Sequence, residues 1–198
     1  MLVPFVILAV FLVVLLFVLG VRRKKYAKKD IHFGYLKEQY KFDLYKQNSG
    51  AFGPKVYSLK GSFEGTDVEV KEQVKRSYRN SVCYTHITLP AHFDFEFLIG
   101  KENFISLIWR AVGFKDIEFN DHQLDREYLF KSNNEEAFRE LINHDILNEL
   151  NRIGSIFKGQ LECKDGELTY SFRGEIISEE VRQNVEEFLS FMIKILSR

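Results

Sequence analysis

The sequence predicts an α+β protein: one N-terminal transmembrane helix followed by a largely antiparallel sheet with helices packed on it. Three observations predict it. Twenty uncharged, almost wholly apolar residues open the chain; strand-like alternation dominates up to residue 99; and amphipathic helical spacing enters from residue 102 onward. The 198 residues include 19 Phe and 9 Tyr but only 3 Pro and 12 Gly, a composition too apolar for a disordered tail and too poor in breakers for a long linker. The organisation predicted is an anchor over 1–21, a basic collar over 22–29 and one domain over 30–198.

The opening run, LVPFVILAVFLVVLLFVLGV at residues 2–21, has 17 Leu, Ile, Val or Phe among its 20 positions. At 1.5 Å per residue such a helix reaches about 30 Å, the thickness of a bilayer's hydrocarbon core. Pro4 falls in the first turn, where a missing N–H does no harm. A cleaved signal peptide would carry its basic residues before the apolar run, whereas here RRKK follows it. Arg22, Arg23, Lys24, Lys25, Lys28 and Lys29 form the collar and become candidate lipid-headgroup contacts. The positive-inside rule then predicts a single-pass protein of the cell (inner) membrane, its N-terminus outside and its domain cytoplasmic.

The zero net charge conceals an asymmetry. Beyond the six collar cations the chain keeps 22 Lys and Arg against 28 Asp and Glu. An acidic domain without a basic stripe argues against nucleic acid as a partner. The two cysteines, Cys83 and Cys163, read as free core thiols.

Residues 30–50 read as a short amphipathic lead-in that ends in a turn. Strands follow at 55–65, 66–74, 82–90 and 93–99, with a turn at 77–81. Val68, Val70 and Val74 share one face, as do Phe93, Phe95 and Phe97, while Asp94 and Glu96 point the other way. Phe104, Leu107, Ile108 and Val112 predict a helix over 102–113, with Trp109 among its core residues. Strands at 117–119 and 126–132 flank the polar turn NDHQLD. Ser132 and Glu135 have capping-box spacing and predict a helix running to Ile153. Asp165-Gly166 predicts a tight hairpin turn within residues 159–174. Ser178, followed by Glu179 and Glu180, predicts the start of a last helix with Val181, Val185, Phe188, Leu189, Met192 and Leu196 as its apolar stripe.

No phosphate-binding, dinucleotide, nucleophile-elbow, zinc-protease or paired-cysteine motif occurs. Two weaker constellations remain. His86, His92 and Asp94 are of metal-ligand type, but Pro90 breaks the register between the histidines. Asp121, His122 and Asp125 have the residue types of an oriented general base, although Asn120 and Asp121 also suit a turn shaped by side-chain to backbone bonds, with Asp125 starting the next strand. No cofactor is expected.

The order of motifs carries a resemblance. After the basic-flanked span come Gly61, Phe63, Gly65, Val68 and Val70 in the pattern G-x-F-x-G-x-x-V-x-V, then Thr85-His86, then DIEFNDHQLDREYLFKSNNEEAFREL, a helix and the hairpin GQLECKDGELTYSF. This resembles a widespread group of uncharacterised, N-terminally membrane-anchored bacterial proteins over some 100–120 residues. Leu124 stands where that pattern favours Phe, and Asn120 where it often has Gly. The resemblance implies a membrane location and no activity. The reading is therefore a membrane-tethered, non-enzymatic interaction module or accessory subunit, with the lipid bilayer and a protein as its partners. The alternative is a membrane-proximal hydrolase or metal-dependent enzyme using the His and Asp residues above.

Overall fold

The computed structural model describes residues 2–48, 54–76, 81–101 and 114–198, apart from the side chains of residues 2–9 and 76. The helix predicted over 102–113, and most of the turn at 77–81, lie outside these residues. The α+β class holds. Nine strands form one sheet in the order β1-β2-β3-β4-β9-β8-β5-β7-β6, and every described pairing is antiparallel.

Helix α1 runs from Leu2 to Tyr40 without a break, crossing the collar and the predicted lead-in. Nothing in residues 30–40 stops it, and Lys41, at φ 56, makes the left-handed exit instead. Strand β1 (Asp43–Asn48), absent from the sequence expectation, then pairs with β2 (Lys55–Phe63). It escaped notice because five of its six side chains are exposed, so it has no hydrophobic alternation.

The predicted meander is present. β2 joins β3 (Thr66–Arg76) through Glu64 and Gly65, which both have positive φ, and β3 pairs with β4 (Ser81–Pro90). The strand expected over 93–99 is shorter: β5 spans Phe97–Lys101. Pro90 has no N–H to extend β4, the Ala91 amide bonds the Gly166 carbonyl, and the Glu96 backbone is held by Asn133 and Ser132. Phe93, Phe95 and Phe97 still cluster, with ring centroids 5.8–5.9 Å apart.

β6 (Lys115–Ile117) and β7 (Tyr128–Ser132) lie at the far edge, separated by the single turn α2 (Leu124–Glu127). Ser132 is the buried end of β7 rather than a cap; Asn134 accepts the bond from Ala137 N that opens α3 (Glu135–Leu141). The one long helix expected here is two. Asn143 adopts an extended conformation and accepts from the amides of Asp145 and Ile146, starting α4 (His144–Arg152). β8 (Gly159–Lys164) and β9 (Glu167–Arg173) form the predicted hairpin, with Asp165 and Gly166 at φ 52 and 79. Ser178 caps α5 (Glu179–Leu196) by accepting from Val181 N, as predicted.

The helices bury their apolar stripes against one sheet face. Phe33 and Leu36 of α1, Phe138 of α3, Leu150 of α4 and Phe188 of α5 are all completely enclosed. Tyr170 of β9 stacks on Phe188 at 3.7 Å between centroids, joining sheet to helix at the centre of the core.

The transmembrane helix expected over 2–21 finds no support among the described residues. Among the described residues no helix is long and apolar enough to cross a membrane. The stretch with described side chains runs from Val10 to Val21, about 18 Å at helical rise against the roughly 30 Å of a hydrocarbon core, and Arg22 then ends it. Those side chains are nonetheless exposed, Phe17 to 72% and Phe11 to 64%, and touch no core.

Candidate functional site: a buried charge cluster beneath the collar

Helix α1 lies along β2 with its collar beside the Lys55 end of that strand. The Tyr26 hydroxyl accepts from Lys55 N at 3.2 Å, Phe33 packs on Tyr57 at 4.9 Å, and Tyr40 meets Phe63 at 5.1 Å. This alignment carries Lys29 under the sheet. Its ammonium is wholly enclosed, 2.8 Å from Glu72 Oε2 and 3.0 Å from Glu175 Oε1, and it also donates to the Lys55 carbonyl at 3.4 Å. Glu72 is the inward-facing residue of β3 between Val70 and Val74, and Tyr57 N donates to its Oε2 at 3.2 Å. Glu175 follows β9 and is paired on its other oxygen by Lys25.

Four charges from three parts of the chain thus neutralise one another. Burial alone would lower the Lys29 pKa, but Glu72 and Glu175 outweigh it and hold the ammonium above the ordinary lysine value. The two carboxylates respond oppositely although both face Lys29. Glu72 is raised because its burial exceeds what Lys29 returns. Burial also pushes Glu175 up, but Lys25 and Lys29 together carry it below the ordinary range. The Glu72 Oε1 atom is buried with no hydrogen-bond partner among the described residues. The Cys83 thiol adjoins the pair and is pushed up to about 12, chiefly by burial and then by Glu72 and Glu175, which removes it as a nucleophile near neutral pH.

Glu72, Cys83 and Glu175 each bring a ligand atom within 4.8 Å of the others, a spacing that suits a metal ion. The Lys29 ammonium already stands against both carboxylates, so a divalent cation would have to enter beside a fixed positive charge. The donor set fits an ion cluster better than a metal centre.

The candidates from the sequence fall elsewhere. Lys29 is sealed in the interior and cannot reach a lipid headgroup, which corrects its place in the collar. Lys25 is exposed but paired with Glu175, whereas Arg22, Arg23, Lys24 and Lys28 are exposed. His86 is half-buried on the sheet face opposite the core, its Nδ1 2.7 Å from Ser171 Oγ, and burial together with Lys75 and Lys71 lowers its pKa. His92 and Asp94 are exposed beyond the end of β4, where His92 borders an open groove of about 750 Å³ at the sheet end remote from the collar. These three form no metal-ligating group among the described residues. Asp125 accepts from Phe119 N and Asp121 N, and Asp121 accepts from Gln123 N and Leu124 N. Both carboxylates are spent on the turn, and His122 is exposed.

Glu72 had a sequence signal: one acid among the valines on the inward face of a strand. Lys29 had none, because it is indistinguishable from its collar neighbours until α1 is docked.

No protein-family model matches the chain, and no curated protein matches it in sequence. Among solved structures it is similar to the crystal structure of the mycobacterial trehalose monomycolate transport factor A, TtfA, with a TM-score of 0.52 and 10% identity over 88% of this chain and 96% of that one. Likeness at that identity is a likeness of fold.

Proposed function

We propose that the chain is a membrane-tethered, non-enzymatic interaction module, an accessory subunit of a bacterial membrane complex, whose residues 2–21 sit in the lipid of the cell membrane with the domain on the cytoplasmic side. The observation that carries this reading is the unbroken helix α1, whose side chains from Val10 to Val21 are almost all apolar and all exposed and whose second half is built into the domain. An exposed oily helix in water is costly, and lipid is the medium that removes the cost. Arg22, Arg23, Lys24 and Lys28 then meet the headgroups on the cytoplasmic side. The fold neighbour, by its name a transport factor, is in keeping with an accessory role.

The reading is tested by cross-linking in native membranes and purification of the full-length chain. A reproducible membrane-protein partner, lost when the anchor is replaced by a soluble tag, is expected. Recovery of the chain alone, from the soluble fraction, would contradict it.

A further inference from the structure

The domain end nearest the collar is itself basic, although the domain as a whole is acidic. The contacts of α1 fix which end this is. Tyr26 meets Lys55, and Lys25 and Lys29 meet Glu175, which directly follows β9. At helical rise, Lys25 and Lys29 stand about 6 and 12 Å beyond Val21. A headgroup layer is about 5–7 Å deep on each side of the hydrocarbon core. The ends of β2, β3, β4 and β9 that hold Lys55, Lys75, Ser81 and Arg173 are therefore at or just above headgroup level, within about one Debye length of lipid charge.

The unpaired charges at the strand ends there are cationic, whereas the exposed acids of this end, Asp30, Glu179 and Glu180, face Lys46, Arg182 and Lys158. Lys55, Lys75 and Arg173 are exposed, and none is in an ion pair among the described residues. The Lys55 ammonium rests over the Tyr26 ring at 5.4 Å and that of Lys75 over Tyr84 at 5.2 Å, contacts that hold both cations in place. Glu72 and Glu175, the acids turned toward the interior at this end, are neutralised by Lys29 and Lys25. A recess of about 440 Å³ opens between Lys25, Cys83, Arg173 and Glu175.

We infer that Lys55, Lys75 and Arg173 form, with the exposed collar residues Arg22, Arg23, Lys24 and Lys28, one surface that rests on the anionic headgroups of the bilayer holding α1. The buried cluster makes this possible. By neutralising Glu72 and Glu175 internally it leaves the underside cationic, and by fixing the rotation of α1 it turns the ends of β2, β3 and β9 toward the lipid. Charge complementarity selects the occupant. The inference rests on the reading that residues 2–21 lie in lipid.

The test uses the full chain reconstituted in phosphatidylcholine vesicles with and without phosphatidylglycerol. A fluorophore is placed at Ser81→Cys in a Cys83→Ser background, and the lipids carry headgroup nitroxides. Anionic lipid is expected to increase quenching about two-fold or more, and high salt to abolish the increase. Lys55→Glu/Lys75→Glu/Arg173→Glu should remove the increase, and Lys164→Glu at the opposite sheet end should keep it. Equal quenching in both vesicle types, or an increase retained by a folded triple variant, would overturn the inference. If the triple variant fails to fold, the salt and lipid arms on the parent chain still decide. Extraction with alkaline carbonate separates the two readings. A chain that washes off sinks the proposed anchoring, whereas one that stays but ignores lipid charge sinks this surface alone.

Discussion

Lys29 is the residue on which the attachment of α1 depends. Removing one partner of a buried ion pair leaves the others as uncompensated charges, so Lys29→Met should cost about 3–5 kcal/mol by chemical denaturation. Lys29→Met/Glu72→Met should recover most of that loss, because Glu175 keeps Lys25 and an apolar pair suits the surrounding core. The cluster also sets an alkaline limit. The folded-state pKa of Lys29 is raised, so its contribution is complete below the ordinary lysine value of 10.5 and is lost as pH rises through the folded value. Buried Tyr57 and Tyr170, raised chiefly by burial, act in the same direction. The Lys29 share is therefore the difference in alkaline slope between the parent and the double-methionine variant. In acid the signs oppose: Glu175, lowered, loses its contribution as pH falls through its folded value, while Glu72, raised, gains. At this scale the sequence was a poor guide. Six cations within eight residues look alike, and although Glu72 among valines shows that a buried acid needs a partner, nothing short of docking α1 marks Lys29 as that partner.

At the scale of elements, strand pairs with an alternating face were legible, and so were the Asp165-Gly166 turn and the Ser178 cap, because each is written in neighbouring residues. β1 was not, since an exposed edge strand has no buried face to betray it. The division of α3 from α4 was also missed: Leu141, Ile142, Ile146 and Leu150 keep helical spacing across it, and the break lies in the preference of Asn143 for an extended cap. Asn143→Ala should cost about 1 kcal/mol in thermal or chemical unfolding by freeing the amides of Asp145 and Ile146. Gly159→Ala should cost about 1–3 kcal/mol or more, because a Cβ there would collide with the Ser171 carbonyl across the β8–β9 ladder. The clash is with backbone, which cannot rotate away, so loss of expression is the expected extreme. His86 bonds Ser171 on one sheet face while His92 lies beyond the end of β4, and Asp121 and Asp125 bond turn amides, for one reason. Sequence spacing reports residue types, while strand register and turn hydrogen bonds decide where those types point.

At the scale of the whole molecule, α1 has two characters in one continuous helix: oily and exposed over Val10–Val21, packed and charge-locked from Lys25 onward. These halves move as one body, so that whatever the first half is embedded in fixes the orientation of the sheet. A spin-label distance between Phe17→Cys and Ser81→Cys, in a cysteine-free, membrane-reconstituted full chain, tests this most directly. A single narrow distribution that broadens when Lys29→Met is added is expected. A broad distribution in the parent, unchanged by that substitution, would mean a hinge at the collar and would contradict the claim that the buried cluster ties the helix to the domain.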